Sequence, residues 1–299
     1  MNPACDAARQ SDQAGRHAGR FWLRQVWRCL RPLLYAYLVV VVLAMIGENW
    51  LIYFPARYPD GNWSPEGLPV EDAWFQAADG TRLHGWYVAH PDPRAVVLFC
   101  HGNGGNVAYW SDVLFNLYSQ VGVSALLFDY RGYGRSEGSP SEAGLLLDAR
   151  AARQWLAQRA GIPESEVVLM GRSLGGAVAV DLAAADGARA LVLESTFTSL
   201  PDLAAYHYPW LPVRLLIRTK FDSLAKIRAY RGPLLQSHGT ADDIVPYRFG
   251  LRLFEAANDP ELNVPRQFVT IPQGGHNELP GRAYYLTLAK FLDGLPAAK

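Results

Sequence analysis

Cysteine is scarce in this chain, with three residues in 299: Cys5, Cys29 and Cys100. Two fall in the N-terminal segment and one at the end of an apolar run, so no disulfide framework is implied. No Cys/His cluster has metal-ligand spacing, and nothing in the sequence asks for a metal or an organic cofactor. Charge of one sign is lacking too: 28 Lys+Arg stand against 28 Asp+Glu. That balance gives no reason to invoke nucleic acid. There is no internal repeat and no long low-complexity tract, which sets aside solenoids and disordered chains. Neither G-x-G-x-x-G nor G-x-x-x-x-G-K-[ST] occurs, so a phosphate-cradling loop is a weak reading. What is present is a half-apolar chain, long enough for one large domain with an appendage.

The appendage is at the N-terminus. Residues 1–31 carry Arg9, Arg16, Arg20, Arg24, Arg28 and Arg31 against only Asp6 and Asp12. Leu33 to Ile46 are then uninterruptedly apolar; Gly47, Glu48 and Asn49 break the run, and Trp50 to Phe54 resume it. As helix the first run spans only about 21 Å, against a hydrocarbon core of about 30 Å; continued to Phe54 it reaches about 33 Å. The sequence therefore predicts a basic tail over 1–32, an uncleaved transmembrane signal-anchor helix over 33–54 and a linker over 55–69. A cleaved signal lacks a clean small-x-small site, and a buried or membrane-surface helix is the other alternative. With the arginines kept inside, the anchor puts the catalytic domain on the non-cytoplasmic side, periplasmic or extracellular.

Beyond residue 70 the pattern is two strands forming a hairpin, Val70–Gln76 and Arg82–Ala89, and then strands alternating with helices. Parallel strands are expected near 95–100, 123–128, 166–170, 190–194, 233–237 and 266–271. Their near-continuous apolar character suits a sheet covered on both faces. Ser141–Ala160 reads as a helix with a serine start and a Gly161 stop. The stretch 195–232 holds Phe197, Tyr206, Tyr208, Trp210 and Phe221 among three prolines, and is expected to form a small lid or ordinary crossover helices.

The most informative segment is Gly171-Arg172-Ser173-Leu174-Gly175, between an apolar strand and a helix. A serine there sits on a tight turn that lifts its hydroxyl out of the sheet and into the field of the helix N-terminus. A hydroxyl needs a base, and the base needs a group to hold its tautomer. His276, on a Gly-Gly loop past the last strand, is the expected base. Asp242, on the loop after the preceding strand, is the expected acid; Asp243 and Glu194 are the alternatives. The loop His101-Gly102-Asn103-Gly104-Gly105 follows another strand, and the backbone N–H groups of Asn103 and Leu174 are expected to converge on an oxyanion. Each such donor typically lowers the barrier by about 3 kcal/mol. His101 is expected to brace this loop.

With these motifs, and with Asp129-Tyr130-Arg131-Gly132-Tyr133-Gly134-Arg135-Ser136 beside them, the chain resembles the alpha/beta-hydrolase superfamily over about residues 70 to 293. The likeness is to small membrane-anchored ABHD-type serine hydrolases, some of them acyl-protein thioesterases. The resemblance implies a mostly parallel eight-stranded sheet with helices on both faces, and a catalytic domain over 70–299. It implies Ser173, Asp242 and His276 as the triad, Asn103 and Leu174 as the oxyanion hole, and a structural role for the 129–136 loop. The order Ser…Asp…His is the one this superfamily uses. The implied reaction is hydrolysis of a small-molecule or lipid-like ester or thioester; a peptidase, or a non-catalytic binding protein on the same scaffold, is the alternative. The His-Gly-Asn-Gly-Gly loop differs from the His-Gly-Gly-Gly of many lipases, which argues against a specialist in tertiary-alcohol or bulky esters.

Overall fold

The computed structural model describes residues 3–259 and 261–296. The chain divides into two units, Met1–Glu48 and Asn49–Lys299. The first is almost entirely helix α1 (Pro3–Ile46). Within it, Gln25–Ile46 is long and apolar enough to cross a membrane by length and composition, and 6% of it is buried. The side chains of Cys5, Arg9, Arg16, Arg20 and Arg24 lie outside the described residues. The apolar helix stops at Ile46 instead of running on to Phe54. Gly47 interrupts it, and a short helix α2 (Glu48–Ile52) follows. Ile52 and Tyr53 are apolar for a different reason: they are buried in the core of the second unit.

In the second unit the strands are β1 (Phe54–Pro55), β2 (Glu71–Gln76), β3 (Arg82–Val88), β4 (Val96–Cys100), β5 (Gly104–Gly105), β6 (Ser124–Phe128), β7 (Val168–Arg172), β8 (Ala190–Glu194), β9 (Leu234–Gly239) and β10 (Arg266–Ile271). Eight of them form one sheet in the order β10-β9-β8-β7-β4-β6-β3-β2. The hairpin β2–β3 is antiparallel and joins β6 antiparallel; every other pairing in this sheet is parallel. β1 and β5 pair separately and in parallel.

Alternation along the strands builds two cores, one on each face. Leu98 and Cys100 of β4, Leu169 of β7, and Leu191 and Leu193 of β8 enter one core. Val97, Phe99, Val168, Met170, Ala190 and Val192 enter the other. The first core is covered by α4 (Glu142–Ala160), α5 (Leu174–Asp186), α8 (Ser223–Ile227) and α9 (Tyr247–Ala257); the second by α3 (Ser111–Asn116) and α10 (Arg282–Asp293). Both sheet faces are thus dry, which is why the parallel strands read as continuous apolar runs. The helix starts are local. Ser141 Oγ accepts from the Gly144 amide to open α4, and Gly161, at φ 68°, closes it. Ser199 caps α6 (Leu200–His207) by accepting from the Asp202 amide. With α7 (Val213–Leu216) and α8, α6 makes up the 195–232 region.

The stretch 55–69, expected as a linker, is tied into this unit. Arg57 Nη1 donates to Ser136 O at 3.0 Å, and Trp63 packs on the Trp86 ring at 5.5 Å between centroids.

Candidate active site

The turn between β7 and α5 is where the backbone is most constrained. Ser173 has φ 53° and ψ −118°, a region that L-residues avoid. The flanking glycines permit this. A Cβ on Gly171 would lie 2.2 Å from Gly175 O, and one on Gly175 would lie 1.9 Å from Cys100 O. The turn is held by the Ser173 amide donating to Glu194 O at 2.9 Å and Thr196 Oγ1 donating to Ser173 O at 2.8 Å.

Three loops at the C-terminal ends of β7, β9 and β10 meet there. Ser173 Oγ lies 3.1 Å from His276 Nε2, and His276 Nδ1 lies 2.8 Å from Asp242 Oδ2. A carboxylate only accepts, so the Nδ1 proton points to Asp242 and the Nε2 lone pair faces the hydroxyl. The loops after β9 and β10 approach closely enough for this because Gly239 has no side chain: a Cβ there would lie 2.1 Å from Gly274 O. All three side chains are largely shielded, with relative exposures of 9% for Ser173, 8% for His276 and 6% for Asp242.

Asp242, rather than Asp243 or Glu194, is the carboxylate beside His276. Asp243 is exposed. Glu194 is buried at the end of β8, in register with Arg172. Burial works to raise the Asp242 pKa, but hydrogen bonds from His238 and His276 and from the Val245 amide outweigh it, so the carboxyl is held well below the usual range. Its other oxygen accepts from the amides of Val245 at 2.7 Å and Ile244 at 3.1 Å.

Two positioning residues escaped the sequence reading. Arg172 Nη2 donates to the carbonyls of His276 and, at 2.8 Å, Glu278. It thereby fastens the histidine loop to the strand that carries the serine. His238 is fully buried, with Nε2 2.7 Å from Val245 O and 3.3 Å from Asp242 Oδ2. Its ring fits only because position 250 is glycine, where a Cβ would lie 2.1 Å from His238 Nδ1. An arginine at the end of an otherwise apolar strand was the available signal for the first, and a histidine four residues before Asp242 for the second.

The Leu174 amide is the first of α5 and has no intrahelical acceptor. The Asn103 amide has no main-chain acceptor among the described residues. The 100–103 loop abuts the start of α5, since Gly175 would meet both Cys100 O and His101 O if it bore a Cβ. His101 Nδ1 lies 2.7 Å from Gly102 O and donates to it. Peptide planarity then fixes the Asn103 N–H, which points the opposite way from that carbonyl. Burial pushes the His101 pKa down, against the opposing charge of Asp129, so the ring is held neutral between Tyr130, Tyr133 and Trp110. The 129–136 loop is likewise a scaffold: Asp129 Oδ1 accepts from the Val107 amide at 2.8 Å, and Arg131 makes charged hydrogen bonds to Asp148 and Asp79. A separate cavity of about 600 Å³ lies among α6, α7 and α9, lined in part by Tyr206, Phe249, Arg214, Arg248 and Arg252. No group of three or more metal-ligating side chains is assembled among the described residues.

A sharp serine turn leaving a central parallel strand, with a carboxylate and an imidazole on later loops, defines a class of fold. A family model for the alpha/beta hydrolase fold matches residues 95–215. The chain is 33% identical over 284 residues to the alpha/beta hydrolase domain-containing protein WAV2 of Arabidopsis thaliana, covering 85% of this chain and 90% of that protein. It is 39% identical over 258 residues to an uncharacterized protein of Mycobacterium tuberculosis, again covering 85% and 90%. An esterase of Pyrococcus furiosus superposes with a TM-score of 0.64 at 22% identity, over 82% of this chain and 98% of that one. The chain belongs to the alpha/beta hydrolase family.

Proposed function

We propose that the protein is a serine hydrolase that cleaves carboxylic esters or thioesters through an acyl-enzyme. The observation that carries this reading is the unbroken file from Ser173 Oγ through the His276 ring to Asp242, at 3.1 and 2.8 Å. Ser173 Oγ attacks the acyl carbon while its proton passes to His276 Nε2. Asp242 stabilises the imidazolium and keeps its orientation. The negative charge that develops on the carbonyl oxygen is met by the Asn103 and Leu174 amides. Collapse breaks the bond to the alcohol or thiol, which leaves with the proton from Nε2. Water, deprotonated by His276, then attacks the acyl-serine, releasing the carboxylic acid and restoring Ser173.

The same proposal holds α1 to be an uncleaved anchor, with its basic end cytoplasmic and residues 70–299 acting on the other side of the membrane. An apolar helix whose candidate span is largely unburied supports the anchor, and the arginines of residues 1–31 are the ground for the orientation.

The test is turnover of p-nitrophenyl esters of rising chain length, with acyl-thioester and amide analogues. Wild-type protein is expected to hydrolyse esters or thioesters and to be labelled by a fluorophosphonate at Ser173. Ser173→Ala is expected to lose activity on the order of a millionfold. Turnover that survives this change, or folded protein that resists the probe, overturns the assignment. Amide cleavage at a rate matching the ester moves it to the peptidases.

A further inference from the structure

We infer that residues Ile52–Ala56, which follow the apolar helix in the chain, form a strap that sets the geometry of the oxyanion hole, with the Asn103 carboxamide and the Tyr133 hydroxyl as its positioning residues. The inference rests on the serine-hydrolase reading above.

Asn103 is gripped from three directions. Its carbonyl accepts from the Phe54 amide at 2.9 Å and from the Tyr133 hydroxyl at 2.8 Å. Its side-chain Nδ2 donates to Ile52 O at 2.8 Å. The side chain of the oxyanion-loop residue is therefore turned to the strap and occupied there, leaving the main-chain N–H as its contribution to chemistry. Beyond Asn103 the strap continues as a ladder, with Phe54 opposite Gly104 and Pro55 opposite Gly105, and the Ala56 amide donating to Gly105 O at 3.0 Å. Gly134 closes the other side, its amide donating to Ala56 O at 2.9 Å and its carbonyl accepting from the Tyr58 amide at 3.0 Å.

The strap is itself immobilised. Ile52 and Tyr53 are buried in the core beneath the sheet. A glycine-rich loop has little preference for any one conformation. Fixing the Asn103 carbonyl and side chain leaves its φ and ψ no freedom, and with the Gly102 carbonyl tied to His101 the N–H direction is set from both flanks. Oxyanion stabilisation needs donors aimed before the charge appears, because reorienting them during reaction forfeits their benefit. Residues upstream of the expected domain start thus complete the active site.

The experiment uses the full chain in detergent micelles, with Asn103→Ala and Tyr133→Phe, singly and together. Rates are expressed per active site, counted by fluorophosphonate titration carried to completion. Each single variant is expected to lower kcat by roughly 10- to 100-fold, with KM changed by less than about threefold. Affinity for an alkyl trifluoromethyl ketone, whose adduct presents an oxyanion, should fall by the same factor as kcat. Tyr133→Phe keeps the ring packing, so it remains informative if Asn103→Ala folds poorly. Unchanged kcat per site in Tyr133→Phe, or a loss confined to KM, overturns the inference while leaving the serine-hydrolase reading intact. A wild-type chain that turns over nothing and takes up no probe removes that reading first, and the strap's role in catalysis with it.

Discussion

Arg172 holds the main chain of His276: the guanidinium next to Ser173 in the chain donates to the carbonyl of the residue whose ring faces the Ser173 hydroxyl. One side chain thus sets the spacing between two loops more than a hundred positions apart in sequence. It also faces Glu194, whose pKa is raised by burial and drawn back by the Arg172 charge.

From this pairing, Arg172→Met is expected to lower kcat by roughly 10- to 100-fold, since the imidazole is misplaced but the triad is chemically whole. It also removes a positive charge that favours the ionised form of the buried Glu194, and so is expected to lower the melting temperature. Adding Glu194→Gln should return part of the melting temperature and none of the rate. Denaturant unfolding and steady-state kinetics on the two single variants and the double separate the two roles. Full recovery of turnover in the double variant would contradict them.

Two glycines should respond to alanine to different degrees, and only one of them with a loss of rate. In an unencumbered helix, Gly→Ala stabilises by about 0.5–1 kcal/mol. At Gly175 that gain is overwhelmed, because the new methyl would lie 1.9 Å from the Cys100 carbonyl, in backbone that cannot yield. Gly175→Ala is expected to lose about 3 kcal/mol or more and most activity. At Gly161 nothing lies within 4 Å of a Cβ, and only the left-handed backbone opposes the change, a cost of about 1–2 kcal/mol. Gly161→Ala should keep wild-type kcat. Thermal melts and an ester assay check both.

Asp242→Asn is expected to lower kcat by about 10³- to 10⁴-fold, since an amide also satisfies the wrong imidazole tautomer. The stability effect has a definite sign. The folded-state pKa is depressed, so the carboxylate's contribution is fully present above the unfolded value of about 4 and is lost as pH falls through the folded value. The gap in melting temperature between wild type and Asp242→Asn should therefore be flat from neutral pH down to about pH 5. It should narrow below about pH 4. A gap that widens steadily above pH 7 would show that another group dominates.

The topology proposal makes a separate demand. Wild-type protein should sediment with membranes, resist alkaline extraction and enter solution with detergent. A C-terminal reporter that is active only on the far side of the cytoplasmic membrane should be active. Release by alkali alone would rule out a spanning helix, and a silent far-side reporter would reverse the orientation.

Much of the fold was legible because its signals are local. The six parallel strands stand where apolar runs placed them, since a doubly covered strand must be apolar throughout. The 142–160 helix begins and ends where Ser141 and Gly161 indicated. The three residues of the Ser173 file were nameable because each lies just past such a strand, at the rim where loops converge. What escaped depends on contacts distant in sequence. Phe54 read as the tail of a membrane helix and Pro55 as the start of a linker, and nothing nearby announces that their partners are Gly104 and Gly105. A pairing of two residues with two leaves no periodicity. Arg172 looked like the variable position of a motif because its partners come a hundred residues later.

The position of the His276 loop after the last strand has a consequence for biosynthesis. The imidazole that faces Ser173 is that of His276, more than a hundred residues further along the chain. On the proposed serine-hydrolase reading, a polypeptide whose synthesis has reached α5 already holds its nucleophile and still lacks the base. On that reading hydrolytic competence follows completion of the sheet, since β10 must be made before His276 can reach Ser173.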